Sequence, residues 1–410
     1  MAHDVEEPGL SRWGRWGRSG WGVHSRRAAL RIAAGTGVAA LAAPAVARAA
    51  TAGQGAIVKP LPPELFVVHG SNAETRWSAL RDIGNIVPAD RFFVRNHTRT
   101  PRIDPVAWRL RLFGTGLAGG PVALSLAQLK ALPSETITAR IECAGNGRGF
   151  FESQQNQPVP GTPWRLGAVG VARWRGVRMA TALRAAGLTR EAVDVMPSGL
   201  DDEYIVDGEN LGRVRRPLPV RKAMDDVLLA YEMNGEPLPP DHGFPVRVVV
   251  PDWIGIASVK WVGAIEVSAT PLSSAWNTRY YRLFGPGYPE EGTLLTRQNT
   301  KSAFELDPDA EFSAGRAHVL HGRSWSGTGG VVRVEVSADG GRSWSRAIPR
   351  AVRDDGWHRW SYRWLPRRPG SYTLRARALD IEGNVQPVTE PFNTEGYLFG
   401  AVAGLPVAAV

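Results

Sequence analysis

Residues 139–151 read "ARIECAGNGRGFF", and Cys143 within them is the only cysteine of the 410-residue chain. Residues 136–142 form a β-like run, a turn of Ala144, Gly145, Asn146 and Gly147 follows the thiol, and Arg148 comes next. A lone thiol is ordinarily a small buried hydrophobe, and that reading stays open. Against it, the glycine turn leaves room for a bulky group to approach the backbone. Arg148 is placed to favour a thiolate or an anion. A thiolate is a soft metal ligand. A single one suits a metal whose other donors come from an organic cofactor.

The same cysteine count excludes an intramolecular disulfide and Cys-rich structural zinc. No C-x-x-C-H occurs, so no c-type haem is expected on this chain. No phosphate loop of the G-x-x-x-x-G-K-[ST] kind and no dinucleotide fingerprint is present. The formal charge is +10, of which +4 belongs to residues 1–50. No Lys/Arg run or aromatic-interleaved stripe points to nucleic acid.

Residues 1–50 read as an export address and linker. Arg26 and Arg27 stand just before a weakly apolar, Ala/Gly-rich run at 32–47, and Ala45, Ala47 and Ala49 offer cleavage sites. The run resembles a twin-arginine signal, with Ala29 where that pattern usually has Phe. It is too short for a membrane span. No other segment is apolar enough, so the expectation is a periplasmic protein with no membrane span.

Residues 53–63 read as a Pro/Gly linker into the mature fold. Over residues 51–290 strand-like runs alternate with short helical patches. "FFVRNH" (92–97) and "AWRLRLFG" (107–114) read as strands, and "SLAQLKAL" (125–132) and "MATALRAAGL" (179–188) as helices. Residues 227–251 read as two β-rich runs around an Asn-Gly turn and a Pro-rich corner. Over residues 291–410 the texture becomes alternating short strands with Gly/Pro/Asp turns, as in "VVRVEVSADGGRSWSRA" (331–347). The expected architecture is an α+β domain followed by an all-β, immunoglobulin-like sandwich. The sandwich gathers no cluster of titratable groups, so it reads as a structural or interface module.

"ECAGNGR" resembles the molybdenum-ligating cysteine motif of the sulfite oxidase family, which includes bacterial sulfite dehydrogenases. "FFVRNH", "PWRLGAVGVARWRGV" (163–177), residues 227–251 and "SVKWVG" (258–263) are similar to family segments in the same order. The C-terminal "GRSWSGTGGVVRVEVSADGGRSW" and "NVQPV" resemble the family's second domain, so the likeness runs over about residues 60–395. It implies a molybdenum–molybdopterin oxidoreductase with Cys143 as the protein ligand to the metal. It implies that Phe93, Val94, Arg95, Asn96 and His97 lie along the pterin. His242, Arg247, Ser258, Val259 and Lys260 would hold the pterin and its phosphate, with Asp201 a further contact. Arg95, Arg148, Trp164 and Tyr281 would surround the substrate. The second domain would be a dimerisation domain giving a homodimer.

The residue types suit those roles. A phosphate monoester is well matched by a guanidinium and an ammonium in one pocket. Two arginines from separate segments can bind a small oxyanion by fork-like hydrogen bonds. Read without the resemblance, each of these residues has a plainer reading: Arg247 and Lys260 as exposed cations, His242 as a surface histidine, His97 as an edge histidine, Arg95 and Arg148 as salt-bridging surface groups. Tyr281 has Tyr280 beside it, and the sequence does not separate them.

The chain departs from the family near residues 391–399. Sulfite-oxidising members usually carry a further arginine there, whereas this segment reads "PFNTEGYLF" and the last arginine of the chain is Arg377. A lost charge-assisted contact weakens anion binding by roughly 1.5–3 kcal/mol, unless another arginine such as Arg323 replaces it. The expected reaction is sulfite oxidation to sulfate, with electrons passed singly to a c-type cytochrome or a haem-bearing subunit. The alternatives are another small oxyanion or sulfoxide on the same cofactor, or a non-enzymatic immunoglobulin-like binding protein with Cys143 as packing.

Overall fold

The computed structural model describes residues 56–350 and 356–410. The export signal expected at residues 1–50 lies outside them. Among the described residues no helix is long and apolar enough to cross a membrane.

Residues up to about 290 build two large sheets, beside small two-stranded pairs such as Phe66–His69 with Asn72–Thr75. In the first, five strands run in the order Leu218–Pro219, Asp194–Gly199, Val262–Ser268, Arg109–Phe113 and Val122–Ser125, with only Val262–Ser268 and Arg109–Phe113 parallel. In the second, Glu236–Pro237, Leu228–Met233, Val169–Arg178 and Ser134–Glu142 lie side by side, and Arg247–Val249 also pairs with Leu228–Met233. Buried Val, Leu and Ile of both sheets, with the helix Met179–Ala185, form one core. The helix Leu126–Lys130 begins with a capping box, in which Ser125 and Gln128 exchange side-chain and backbone bonds.

The strand Ser134–Glu142 is long because it has a full antiparallel partner. Each of its residues pairs across to Val169–Arg178, ending at Glu142 opposite Val169. Cys143 is the first residue past that ladder. Its N–H donates to Ala168 O at 2.9 Å, so the register of the hairpin fixes where the thiol emerges. The helix Gly149–Gln155 follows the turn.

The C-terminal region is an immunoglobulin-like sandwich. One sheet orders Lys301–Phe304, His318–Trp325, His358–Trp364 and Ile348–Pro349; the other orders Ala310–Phe312, Gly404–Ala409, Gly370–Asp380, Val331–Ser337 and Ser345–Arg346. The alternation seen at 331–347 puts Val334 and Val336 inside, against Trp360, Leu374 and Ala376.

The cysteine strand is bolted to this sandwich through alternate residues. Arg140 donates to Gln298 Oε1 at 2.6 Å, Gly356 O at 2.6 Å and Ser326 O at 2.7 Å. Glu142 accepts from Lys301 Nζ at 2.7 Å and Trp325 Nε1 at 2.9 Å. Both members of the Glu142–Lys301 pair are buried. The side chains alternate as they must along a strand, so one face of this strand serves the sandwich.

Two expectations change. "FFVRNH" is not a strand: only Val94 pairs, with Ala73, while the Asn96 N–H is taken by Asn72 Oδ1 at 3.0 Å. Residues 56–63 are not a free linker in their described part. Val58 N and Lys59 N donate to the Asp241 carboxylate at 2.9 and 2.7 Å, so the chain is tied down from its first described residues.

Candidate active site

The turn after Cys143 opens on a narrow cleft with a cavity volume of about 70 Å³. Phe93, Arg95, Asn96, His97, Cys143, Asp201, His242, Arg247, Ser258, Val259, Lys260 and Tyr281 all line it. These come from segments scattered along the chain, and the fold brings them to one wall. Tyr281 and not Tyr280 faces the cleft. Both Tyr281 and the lining residue Trp261 have left-handed backbones, at φ 57° and 52°, a conformation bulky residues rarely adopt and that tends to collect at functional sites.

One end of the cleft is cationic. Lys260 gives two of its three N–H bonds to Asn96 Oδ1 and Asp241 O, leaving one free. Arg247 spreads over the Trp174 ring at 5.0 Å and donates to the carbonyls of His242 and Ser258, each at 3.0 Å. Burial first, then Arg247, pushes the Lys260 ammonium well below its ordinary value; burial lowers Arg247 to about 9. His242 is likewise lowered by burial and then by Lys59, Lys260 and Arg247. Lys59, which the sequence did not single out, sits behind this cluster with its ammonium on Ala89 O at 3.1 Å and on Phe92 O, and burial lowers it to about 7. A group of cations held this far down is short of an anion.

The other end is aromatic. His97 Nε2 accepts from the Trp276 indole N–H at 3.2 Å, and burial with Arg95 keeps the ring neutral, so the proton of the neutral ring sits on Nδ1. Burial opposes the charge of Arg95, but Tyr281, Cys143, Tyr204 and Tyr397 outweigh it and raise its value. Burial pushes the Tyr281 phenol up to about 12, although Arg95, Arg148 and Arg216 pull the other way. Both predicted arginines therefore bear on Tyr281.

Three predicted residues do not line the cleft. Val94 is buried in its pairing with Ala73. Trp164 is fully buried edge-on to His69 at 5.4 Å, behind the cysteine turn, with its Nε1 lacking a hydrogen-bond partner. Arg148 lies in a sleeve of glycines: a Cβ at Gly145, Gly161 or Gly396 would stand 2.9, 2.7 or 2.9 Å from its side chain. Its Nε donates to Glu395 O at 2.9 Å and its guanidinium covers the Tyr397 ring at 5.1 Å. Arg323 does not replace a missing guanidinium. It is fully buried between the sheets of the two regions, paired with Glu305 at 2.8 Å and bonded to Leu80 O at 2.7 Å.

The sandwich region, expected to be structural, backs two residues of this wall. Leu398 N donates to Ala144 O at 2.8 Å, and Tyr397 stacks on Tyr281 at 5.2 Å. Arg216 was also missed; it donates to Leu295 O at 2.6 Å and to Trp276 O, behind Tyr281. Neither residue has a spacing signal in the sequence.

The residues fit a molybdenum–pterin group. Both Asp201 carboxylate oxygens are buried without a well-formed hydrogen bond. Burial raises this carboxyl to about 6, although the nearby backbone N–H groups of Asp201 and Val214 pull it down. They are acceptors waiting for N–H donors, which a pterin ring provides. The anion-poor Lys260–Arg247 end suits a phosphate. Among the described residues no group of three or more His, Cys, Asp or Glu is placed to chelate a metal, so a metal at Cys143 takes its other donors from outside the protein.

Comparison with known proteins agrees. Residues 97–276 match the oxidoreductase molybdopterin binding domain, and residues 300–401 the Mo-co oxidoreductase dimerisation domain. The chain is 36% identical to mouse mitochondrial sulfite oxidase over 78% of its own length and 60% of that protein's. It is 36% identical to chicken sulfite oxidase (76% and 71% of the two chains) and 31% to the Arabidopsis thaliana enzyme (80% and 89%). It thus spans about 60% of the length of the mammalian relatives. Among solved structures, the sulfane dehydrogenase SoxCD from Paracoccus pantotrophus superposes with a TM-score of 0.70 at 26% identity, over 85% of both chains. A lone cysteine at the cleft, an anion-poor pocket beside it and these relatives lead to one assignment: the chain belongs to the sulfite oxidase family of molybdopterin oxidoreductases.

Proposed function

We propose that this protein oxidises sulfite to sulfate, in the periplasm, and passes the electrons one at a time to a c-type cytochrome or a haem-bearing subunit. The observation that carries the reaction is the placement of Cys143, Arg95 and Tyr281 on one cleft wall, next to the paired cations Lys260 and Arg247. Cys143 would hold the metal. Lys260 and Arg247 would hold the pterin phosphate, and Asp201, His97 and Asn96 its ring system. The bound group supplies the oxygen-atom transfer and takes up the electron pair. In the net reaction sulfite gains one oxygen atom that derives from water and releases two protons and two electrons.

The chain's own side chains do the rest. Arg95 stays charged at neutral pH, as a guanidinium does, and it offers a fork of N–H donors to an oxyanion. Tyr281 keeps its proton at neutral pH, since its phenol is pushed up to about 12. Its hydroxyl lies 3.4 Å from His97 Nε2, and turning from that weak bond would let it donate to the substrate. Neutral His97 holds its proton on Nδ1, facing away from the Trp276 bond. Tyr281 and Trp276 are buried at this end and exclude bulk water, which strengthens each charged contact.

Export is supported by Arg26 and Arg27 ahead of the apolar run at 32–47. A homodimer is supported by the dimerisation-domain match. A second reading, another small oxyanion or a sulfoxide, is favoured by Glu395 and Tyr397 standing in the loop where sulfite-oxidising relatives are expected to carry an arginine.

The test is molybdenum content together with sulfite-dependent reduction of ferricytochrome c. The wild-type chain should hold close to one metal per chain and turn over. Cys143→Ala should abolish turnover while the far-ultraviolet spectrum stays the same. A molybdenum-replete enzyme without sulfite turnover would reject sulfite and leave the second reading.

A further inference from the structure

We propose that Tyr397 is a positioning residue for oxyanion binding: wedged between Tyr281 and Arg148, its ring sets where the hydroxyl of one and the guanidinium of the other stand. The proposal rests on the oxyanion reading above and adds a residue outside the cofactor-binding region.

The geometry is a four-layer stack. Arg216 lies 6.0 Å over the Tyr281 ring, Tyr281 and Tyr397 are stacked at 5.2 Å with 14° between their planes, and Arg148 lies 5.1 Å over Tyr397. Guanidinium groups are attracted to the electron-rich faces of aromatic rings, so each layer restrains the next. Tyr281 is the layer with least freedom to choose its own place. Its backbone is left-handed, at φ 57°, and a bulky residue stays there only when its surroundings impose it.

Tyr397 can impose it because its own loop is fixed. Asn393, fully buried, accepts from Tyr397 N and donates to Tyr397 O, each at 2.9 Å. Leu398 N is bonded to Ala144 O of the cysteine turn. Gly396 has no room for a side chain, since a Cβ there would meet Val159 at 2.6 Å and Arg148 at 2.9 Å. Ring and turn are therefore parts of one rigid corner.

Arg148 shows what this corner does. Its Nε is used on Glu395 O at 2.9 Å and its Nη1 on Thr162 O at 3.4 Å, while Nη2 makes no hydrogen bond within the described residues. Nη2 lies against Gly145 of the cysteine turn, 3.0 Å from where a Cβ would be. The Tyr397 face holds the guanidinium plane, and with it the direction of the one unused N–H edge. Without the ring, the side chain could turn within the space vacated.

The test uses the molybdenum-loaded full chain. Tyr397→Leu should raise KM for sulfite roughly tenfold or more with kcat within about threefold, and weaken sulfate binding, read by calorimetry, by the same factor. Molybdenum content should stay at the wild-type level. Tyr397→Phe keeps the ring and should stay within about threefold of wild type in all of these. In a double-mutant cycle with Arg148→Lys the two losses should not add, because each removes the same placement. Unchanged sulfate affinity in the leucine variant, an equal loss in the phenylalanine variant, or additive losses would each overturn the proposal. So would loss of molybdenum from the leucine variant, which would make Tyr397 a cofactor or fold residue. A wild-type chain that binds sulfate without oxidising sulfite would reject the activity proposed above, and the sulfate series would still decide the role of Tyr397.

Discussion

At one end of the cleft Lys260, Arg247 and His242 crowd together, and each is pushed down by burial, Lys260 and His242 also by neighbouring cations. At the other end Arg95 is half-buried, and Tyr281, Cys143, Tyr204 and Tyr397 outweigh its desolvation and raise it. The first end is arranged for an anion that stays. The second keeps its charge with no anion in place, which is what an exchangeable substrate needs. A cluster of cations at one end and guanidinia interleaved with phenols at the other would thus divide a resident ligand from a passing one.

The division can be broken at either end. Lys260→Met should weaken retention of the cofactor by about 10- to 150-fold, the equivalent of roughly 1.5–3 kcal/mol for a charge-assisted bond. Molybdenum per chain after extensive dialysis reads it, and full retention would mean that no phosphate sits at Lys260. Arg95→Gln should raise KM for sulfite by roughly tenfold and leave molybdenum content unchanged. A fall in metal content there would erase the distinction between the ends.

Acidity gives the most general effect. His97 and His242 are held well below 6.5. Below pH 6.5 the unfolded chain takes up protons that the native chain refuses, so native stability falls as pH drops, by roughly 1.4 kcal/mol per pH unit for each histidine. Asp201, raised from 3.8 to about 6, acts in the opposite sense between those values, because there the native carboxyl holds the extra proton. Two groups outweigh one. The melting temperature of cofactor-free protein should fall between pH 7 and 5, and fall less once an anion beside His242 raises its value. A flat profile would show that the histidines are not held neutral.

Much of this was legible in the sequence, for different reasons in different places. The alternation at 331–347 and the Asn-Gly turn at 234–235 are local signals, and strands formed where they were expected. The turn after Cys143 could be read because its glycines are contiguous with the thiol. "FFVRNH" misled because its apolar residues look like a strand, whereas its backbone bonds go to side chains such as Asn72. Lys59, Arg216 and Tyr397 were invisible because their partners are remote: Lys59 meets Asp241, Arg216 meets Tyr281, and Tyr397 meets Arg148. Trp164 and Val94 fell in well-matched segments but point into packing, a distinction that sequence similarity does not carry.

The bolts from Arg140 and Glu142 to the sandwich have a bearing on how such a chain can change. Each is a buried charge that shares its partners between the two regions. Arg140 reaches Gln298, Gly356 O and Ser326 O as well as Asp252, and Glu142 reaches Lys301 and Trp325 as well as Asn146. Removing one partner of a buried ion pair such as Glu142–Lys301 costs about 3–5 kcal/mol. The two halves are therefore not interchangeable cassettes. Recombination that exchanged the sandwich for a relative's would have to bring a cation for Glu142 and placed acceptors for Arg140, on the very strand that presents the thiol. Drift is freer on the outward faces, and the seam is where the two halves must change together.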